Sequence, residues 1–115
     1  MTVGSIKTAQ EGQRDVFGGK LFAVSDYAGP TSYNNTGTPQ TSGDAISSTM
    51  FGFPNTILCF IEESADQTGT YYVLAQPINN GLTAWRLRWF TTAGTEVSNG
   101  VNLSTYIVKL AVLGY

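Results

Sequence analysis

Carboxylates are the first place to look for chemistry in this sequence. Asp26 and Asp44 are the only charges in the stretch Asp26–Asp44, DYAGPTSYNNTGTPQTSGD. Brought together across a cleft they would form the acid and base of a glycosidase. Aspartates that cap the turns at the two ends of a loop account for them more simply. Glu62, Glu63 and Asp66 cluster farther along and offer oxygens of the kind that bind Ca²⁺. Their spacing is not that of an EF-hand, and a solvated loop is the plainer reading. The chain has no histidine, which removes the commonest general base near neutral pH and the commonest transition-metal ligand. A serine nucleophile would have no imidazole beside it. No glycine-rich phosphate loop follows a strand and opens a helix. The expectation is a non-enzymatic protein with no catalytic residues, no metal and no cofactor.

Other residues suit recognition. In the alternating segment Thr83–Thr91, Trp85, Leu87 and Trp89 share one face, and Arg86, Arg88 and Phe90 share the other. Exposed, the two tryptophans would make the flat platform of a sugar-binding module; on a half-buried sheet they are core or interface. Arg86 and Arg88, with Phe90 beside them, are candidates for a contact with an acidic partner, because the chain otherwise carries so little charge. Tyr27, Tyr33, Tyr71 and Tyr72 add amphipathic area of the sort enriched at interfaces. Val3 and Ile6 are the apolar anchors of a polar N-terminal arm able to pair with a neighbour. The candidate partner-binding residues are therefore Val3, Ile6, Tyr27, Tyr33, Arg86, Arg88 and Phe90.

Composition narrows the partners. Charged residues are 12% of the chain, about half the average of roughly 25%. The net charge of −2 leaves no basic footprint for nucleic acid and no polybasic membrane patch. No apolar run approaches the roughly 18 residues of a membrane span. The start, MTVGSIKTAQ, has neither the basic nor the apolar region of a signal peptide, so synthesis in a cytoplasm is expected. The one cysteine, Cys59, lies in the apolar run ILCFI and reads as a buried, inert thiol.

These residues must be positioned by strands. Val16–Ser25 is a strand region in which Leu21, Phe22, Ala23 and Val24 form a buried run after the Gly18-Gly19 turn. Ala45–Phe53 reads as one helical turn, with Ser47 or Ser48 as cap and Gly52 as stop. Thr56–Glu62 is so apolar that both its faces are expected to be covered. Thr70–Gln76 is a strand, Pro77–Gly81 a turn, Thr83–Thr91 a strand, and Ser104–Leu113 the last strand, with Tyr106, Val108, Leu110 and Val112 on one face. No long helical period appears. The class is all-β: a small single-domain sandwich or barrel over 16–115, with an arm at 1–15 and one long loop. That loop divides into an ordered extension, Asp26–Tyr33, turned by Gly29-Pro30, and an exposed tip, Asn34–Ser42.

Several short motifs resemble those of small virion structural proteins of tailed bacteriophages. The matching pieces are Asp26-Tyr27-Ala28-Gly29-Pro30-Thr31-Ser32-Tyr33, Gly43-Asp44, Phe51-Gly52-Phe53-Pro54-Asn55-Thr56-Ile57, Thr95-Glu96-Val97, Asn102-Leu103-Ser104 and Ala111-Val112-Leu113-Gly114-Tyr115. The resemblance spans most of 16–115, and Asn34–Ser42 lengthens the loop beyond the pattern. It implies a capsid decoration (cement) protein located on the capsid surface of the virion. Its partners would be the major capsid protein and further copies of itself, with a trimer as the implied oligomer. A tail or head–tail connector component, or a carbohydrate-binding β module, are the other expectations.

Overall fold

The computed structural model describes residues 5–9, 15–17, 20–78 and 84–115. Val3, the Gly18-Gly19 turn and the Asn80-Gly81 turn lie outside them. The described strands are β1 (Ser5–Ala9), β2 (Asp15–Phe17), β3 (Lys20–Ala28), β4 (Asp44–Ile46), β5 (Ile57–Glu62), β6 (Tyr71–Ile78), β7 (Ala84–Thr91) and β8 (Ile107–Gly114). They form two antiparallel sheets. The five-stranded sheet has the order β1-β3-β8-β5, with β2 also pairing β3; the three-stranded sheet has the order β4-β7-β6. The chain is a small all-β domain, built as a sandwich.

Alternation sets the faces. In β3, Ala23, Ser25 and Tyr27 are buried while Lys20, Phe22, Val24 and Asp26 are partly exposed on the other side. β8 answers with Val108, Leu110 and Val112 inward. From the other sheet, Leu87 and Trp89 of β7 and Val73 of β6 close the core, together with Phe51, Phe53, Val97 and Leu103 from the connections. Trp89 is fully buried. Trp85 packs against Phe60, with centroids 5.1 Å apart, and its indole N–H donates to the Ile57 carbonyl at 3.2 Å. Trp89 offers no face to a sugar and the half-buried Trp85 packs against the core, so the two do not form an open platform.

The helical turn forms as a 3-10 turn at Ser48–Phe51, with Ser47 as its N-cap and Gly52 at φ 78° as its stop. Four details differ from the sequence reading. Asp44–Ile46 is a strand, paired with Leu87–Trp85, because those residues have a ready edge on β7. Pro77 is not the start of a turn; it pairs with Trp85 inside β6. Its nitrogen points away from β7, where a missing N–H costs the ladder nothing. β5 is an edge strand, and Leu58 (42%) and Ile61 (56%) are exposed, so its apolar run is not covered on both faces. Ser5–Ala9 pairs with its own β3, Ile6 opposite Tyr27, so within this chain the arm is an edge strand.

The exposed long edge of β6 is closed by the segment that precedes it. Outward-facing donors lie at alternate residues. Tyr71 N–H bonds the Asp66 carboxylate at 2.5 Å, Val73 N–H bonds the Ser64 carbonyl at 3.3 Å, and Ala75 N–H bonds the Glu63 carboxylate. The next such position is Pro77, which has no N–H. An edge whose outward donors are occupied in this way resists unwanted pairing with other strands.

Gly43 lies where β4 begins, at φ 84°, and a Cβ there would meet the Leu87 carbonyl oxygen at 2.5 Å. Gly43→Ala should therefore lower stability by about 2–4 kcal/mol. Gly37→Ala, also left-handed (φ 80°) but in open space, should cost only about 1 kcal/mol. Denaturant midpoints of the two variants check the difference.

Candidate functional site

Two tyrosines that the sequence offers as contact area are internal. Tyr27 is 0% and Tyr33 is 1% exposed. Each is large enough to fill the core and carries a hydroxyl that must find a partner there. The Tyr27 hydroxyl donates to Asp44 Oδ2 at 2.5 Å, joining β3 of one sheet to β4 of the other. The Tyr33 hydroxyl donates to Glu96 Oε2 at 2.7 Å and accepts the Trp89 N–H at 3.1 Å. Neither residue presents surface to a partner. Burial, and then the bond to Glu96, hold the Tyr33 phenol well above its ordinary pKa.

The network continues outward. Glu96 Oε1 takes Arg88 Nη2 at 3.1 Å, and Arg88 Nη1 donates to Gln76 Oε1 at 3.1 Å. The Arg88 and Glu96 side chains are only 15% and 12% exposed, so this guanidinium is committed inside the chain rather than offered to an acidic partner. Arg86 Nη1 donates to the Gly43 carbonyl at 3.1 Å, which fixes it over the start of β4. Both arginines act as braces on the outer face of the three-stranded sheet.

On that outer face the register brings Phe90 opposite Tyr72 and Arg88 opposite Leu74. The Phe90 and Tyr72 rings stack at 5.6 Å and 20°, and the Arg88 guanidinium sits 5.0 Å from the Phe90 centroid. Tyr72 (37%) and Leu74 (43%) are among the most exposed large apolar side chains of the domain. The patch is thus Tyr72, Leu74 and Phe90, braced by the Arg88 guanidinium beside them. Leu74 escapes the sequence reading; the signal for it is parity, since it alternates with the inward Val73. Of the predicted contact residues, Phe90 lies at this surface. Arg86 and Arg88 share its face but are bonded within the chain. Tyr27 and Tyr33 lie in the core, Ile6 sits on the β1 edge, and Val3 is outside the described residues.

The carboxylates do not converge. Asp26 is on the outer face of the five-stranded sheet, 3.3 Å from Lys109 Nζ, whereas Asp44 is buried between the sheets. Glu63 closes the β6 edge; burial pushes its carboxyl up, partly countered by the Ala75 N–H. Burial acts to raise the Asp66 carboxyl too, but the Thr68 hydroxyl and the N–H groups of Tyr71, Thr68 and Thr70 outweigh it and bring it below the usual value. Among the described residues no group of three or more His, Cys, Asp or Glu is placed to hold a metal ion. Compared with protein-family models, curated proteins and solved structures, the chain matches none.

Two predictions follow from these hydroxyls and carboxylates. Tyr33→Phe should cost about 1–3 kcal/mol, since it leaves the Trp89 N–H and Glu96 short of a partner. Folding raises the Tyr33 phenol, so its share of stability is intact below about pH 10, the unfolded value, and lost as pH rises beyond it. Urea titrations should show the wild type weakening above that pH more steeply than Tyr33→Phe. Asp66 has the opposite sign. Its lowered value means a contribution present above the unfolded carboxylate value and lost as pH falls through the folded one. Asp66→Ala should cost about 1–3 kcal/mol at neutral pH, with the gap to wild type narrowing under acid in the same titrations.

Proposed function

We propose that this chain is a non-enzymatic virion structural protein, a capsid decoration protein that binds and stabilises a shell of major capsid protein. The observation that carries the reading is the braced apolar patch Tyr72, Leu74 and Phe90 on the outer face of the three-stranded sheet. Rigid, desolvatable aromatics beside an anchored arginine have the make-up of an interface hot spot. Arg88 is already neutralised by Glu96, so docking here buries no unpaired charge. A sparsely charged chain with a polar, hydroxyl-rich tip at Thr36–Thr41 suits a permanent contact on an outer particle surface. The sequence motifs shared with tailed-phage virion proteins support the same reading.

The test is binding to empty capsids of the phage whose genome encodes the chain. Wild-type protein should cosediment at high copy, saturating a repeating site of the shell. Tyr72→Ala combined with Leu74→Ser should reduce the affinity about tenfold or more, as hot-spot losses of roughly 2 kcal/mol do. Both positions are exposed, so thermal unfolding should be nearly unchanged. Binding confined to one ring per particle would instead mark a connector or tail component. Undiminished binding by the double variant would remove this face from the contact.

A further inference from the structure

We propose that the outer face of the five-stranded sheet is the contact surface for a second copy of this chain, packed about a two-fold axis that crosses the middle of β3. The residues on that face follow from the register. β3 contributes Lys20, Phe22, Val24 and Asp26. β8 contributes Ile107, Lys109, Ala111, Leu113 and, just beyond it, Tyr115; Phe22 is opposite Leu113, Val24 opposite Ala111, and Asp26 opposite Lys109. Cys59 of β5 lies beside Leu113. Along β3 and β8 the middle of the face is apolar and the charges sit at the ends.

The order of those charges selects the occupant. Along β3 the face reads cation, aromatic, aliphatic, anion. Lys20 and Asp26 are separated by about 20 Å at the usual strand rise. A two-fold axis near Ala23 runs the two β3 strands antiparallel. It sets Lys20 of one copy against Asp26 of the other, twice, with Phe22 against Val24 between them. Such a pattern complements itself only when reversed, which is what an isologous contact requires. Both charges are available for it. Asp26 engages Lys109 through Oδ1, and its side chain keeps 26% exposure from which to accept a second cation. Lys20 is half-buried, with its Nζ 4.4 Å above the ring of Tyr115. Two sheets packed face to face in this way are the ordinary geometry of a sandwich interior. This contact is independent of the patch on the other sheet, and its two-fold symmetry differs from the three-fold arrangement that the phage-protein resemblance implies.

Sedimentation velocity of the full chain, over a concentration series at low salt, tests the idea. A reversible dimer is expected, weakening as salt screens the end pairs. Lys20→Glu alone and Asp26→Lys alone should each weaken it about tenfold or more. The double variant, which merely exchanges the two charges, should regain wild-type affinity to within about threefold. The two single variants mixed should form a heterodimer, since one carries two negative and the other two positive charges at these positions. Recovery in the double variant or the mixture cannot come from misfolding of a single variant. A monomer at every concentration, a trimer, or a dimer indifferent to these charges would each overturn the proposal.

Discussion

A carboxylate with no exposure sits between the sheets at Asp44, and the Tyr27 hydroxyl that holds it comes from the opposite sheet. Removing such a charge from water is costly unless it is hydrogen-bonded. The bond therefore dictates that β4 lie against β7 with Asp44 facing β3. The connection between β3 and β4 obeys the same demand. Pro30 accepts from Leu103 N–H at 2.8 Å, and Tyr33 exchanges backbone bonds with Val101 and Gly100 at 2.9 and 2.8 Å. Gly29 permits the close passage, since a Cβ there would stand 2.6 Å from Leu103 Cβ. Thr31 and Thr36–Thr41 are exposed, and the longer stretch is tied by its own hydroxyls. What looks in sequence like a long polar loop is anchored in the interior at both ends and at Tyr33.

The same economy governs the surfaces. Arg88 and Glu96 belong to the polar chain that begins at Tyr33, yet they also set the plane on which Phe90 and Tyr72 stack. The strap Glu63–Thr70 closes the edge of β6 while bonding back to β8 through Gln67 N–H and Ile107 carbonyl at 3.1 Å. Core, edge protection and exposed patch share residues, so few parts of the molecule can change independently.

The period-two pattern of Ala84–Thr91 was enough to put Trp85, Leu87 and Trp89 inward, and the same held for Val108, Leu110 and Val112 in β8. Local signals also gave the turn at Ser48–Phe51, because Ser47 and Gly52 are adjacent to it. Long-range pairing was illegible. The Tyr33 hydroxyl finds Glu96 at a separation of 63 residues, and nothing near Tyr33 distinguishes a buried phenol from an exposed one. Pro77 misled for a related reason: proline forbids a donor, and only the strand order shows that no donor was needed there. For β5 the error was one of layers, since an apolar run looks the same whether both faces are covered or one lies open at an edge.

The five-stranded sheet has a consequence for how the protein is made. Its central pair joins β3 to β8, residues 20–28 to residues 107–114. Pairing across that separation carries a large loop-closure penalty and folds slowly. On the ribosome, β3 cannot find its partner until Ile107–Gly114 has emerged, and the half-built chain must keep Phe22, Val24 and Tyr27 from aggregating meanwhile. β6 and β7, neighbours in sequence as in space, can fold first. The β3–β8 pairing at the centre of the larger sheet must wait for the last strand, whereas the β6–β7 pair of the smaller sheet need not.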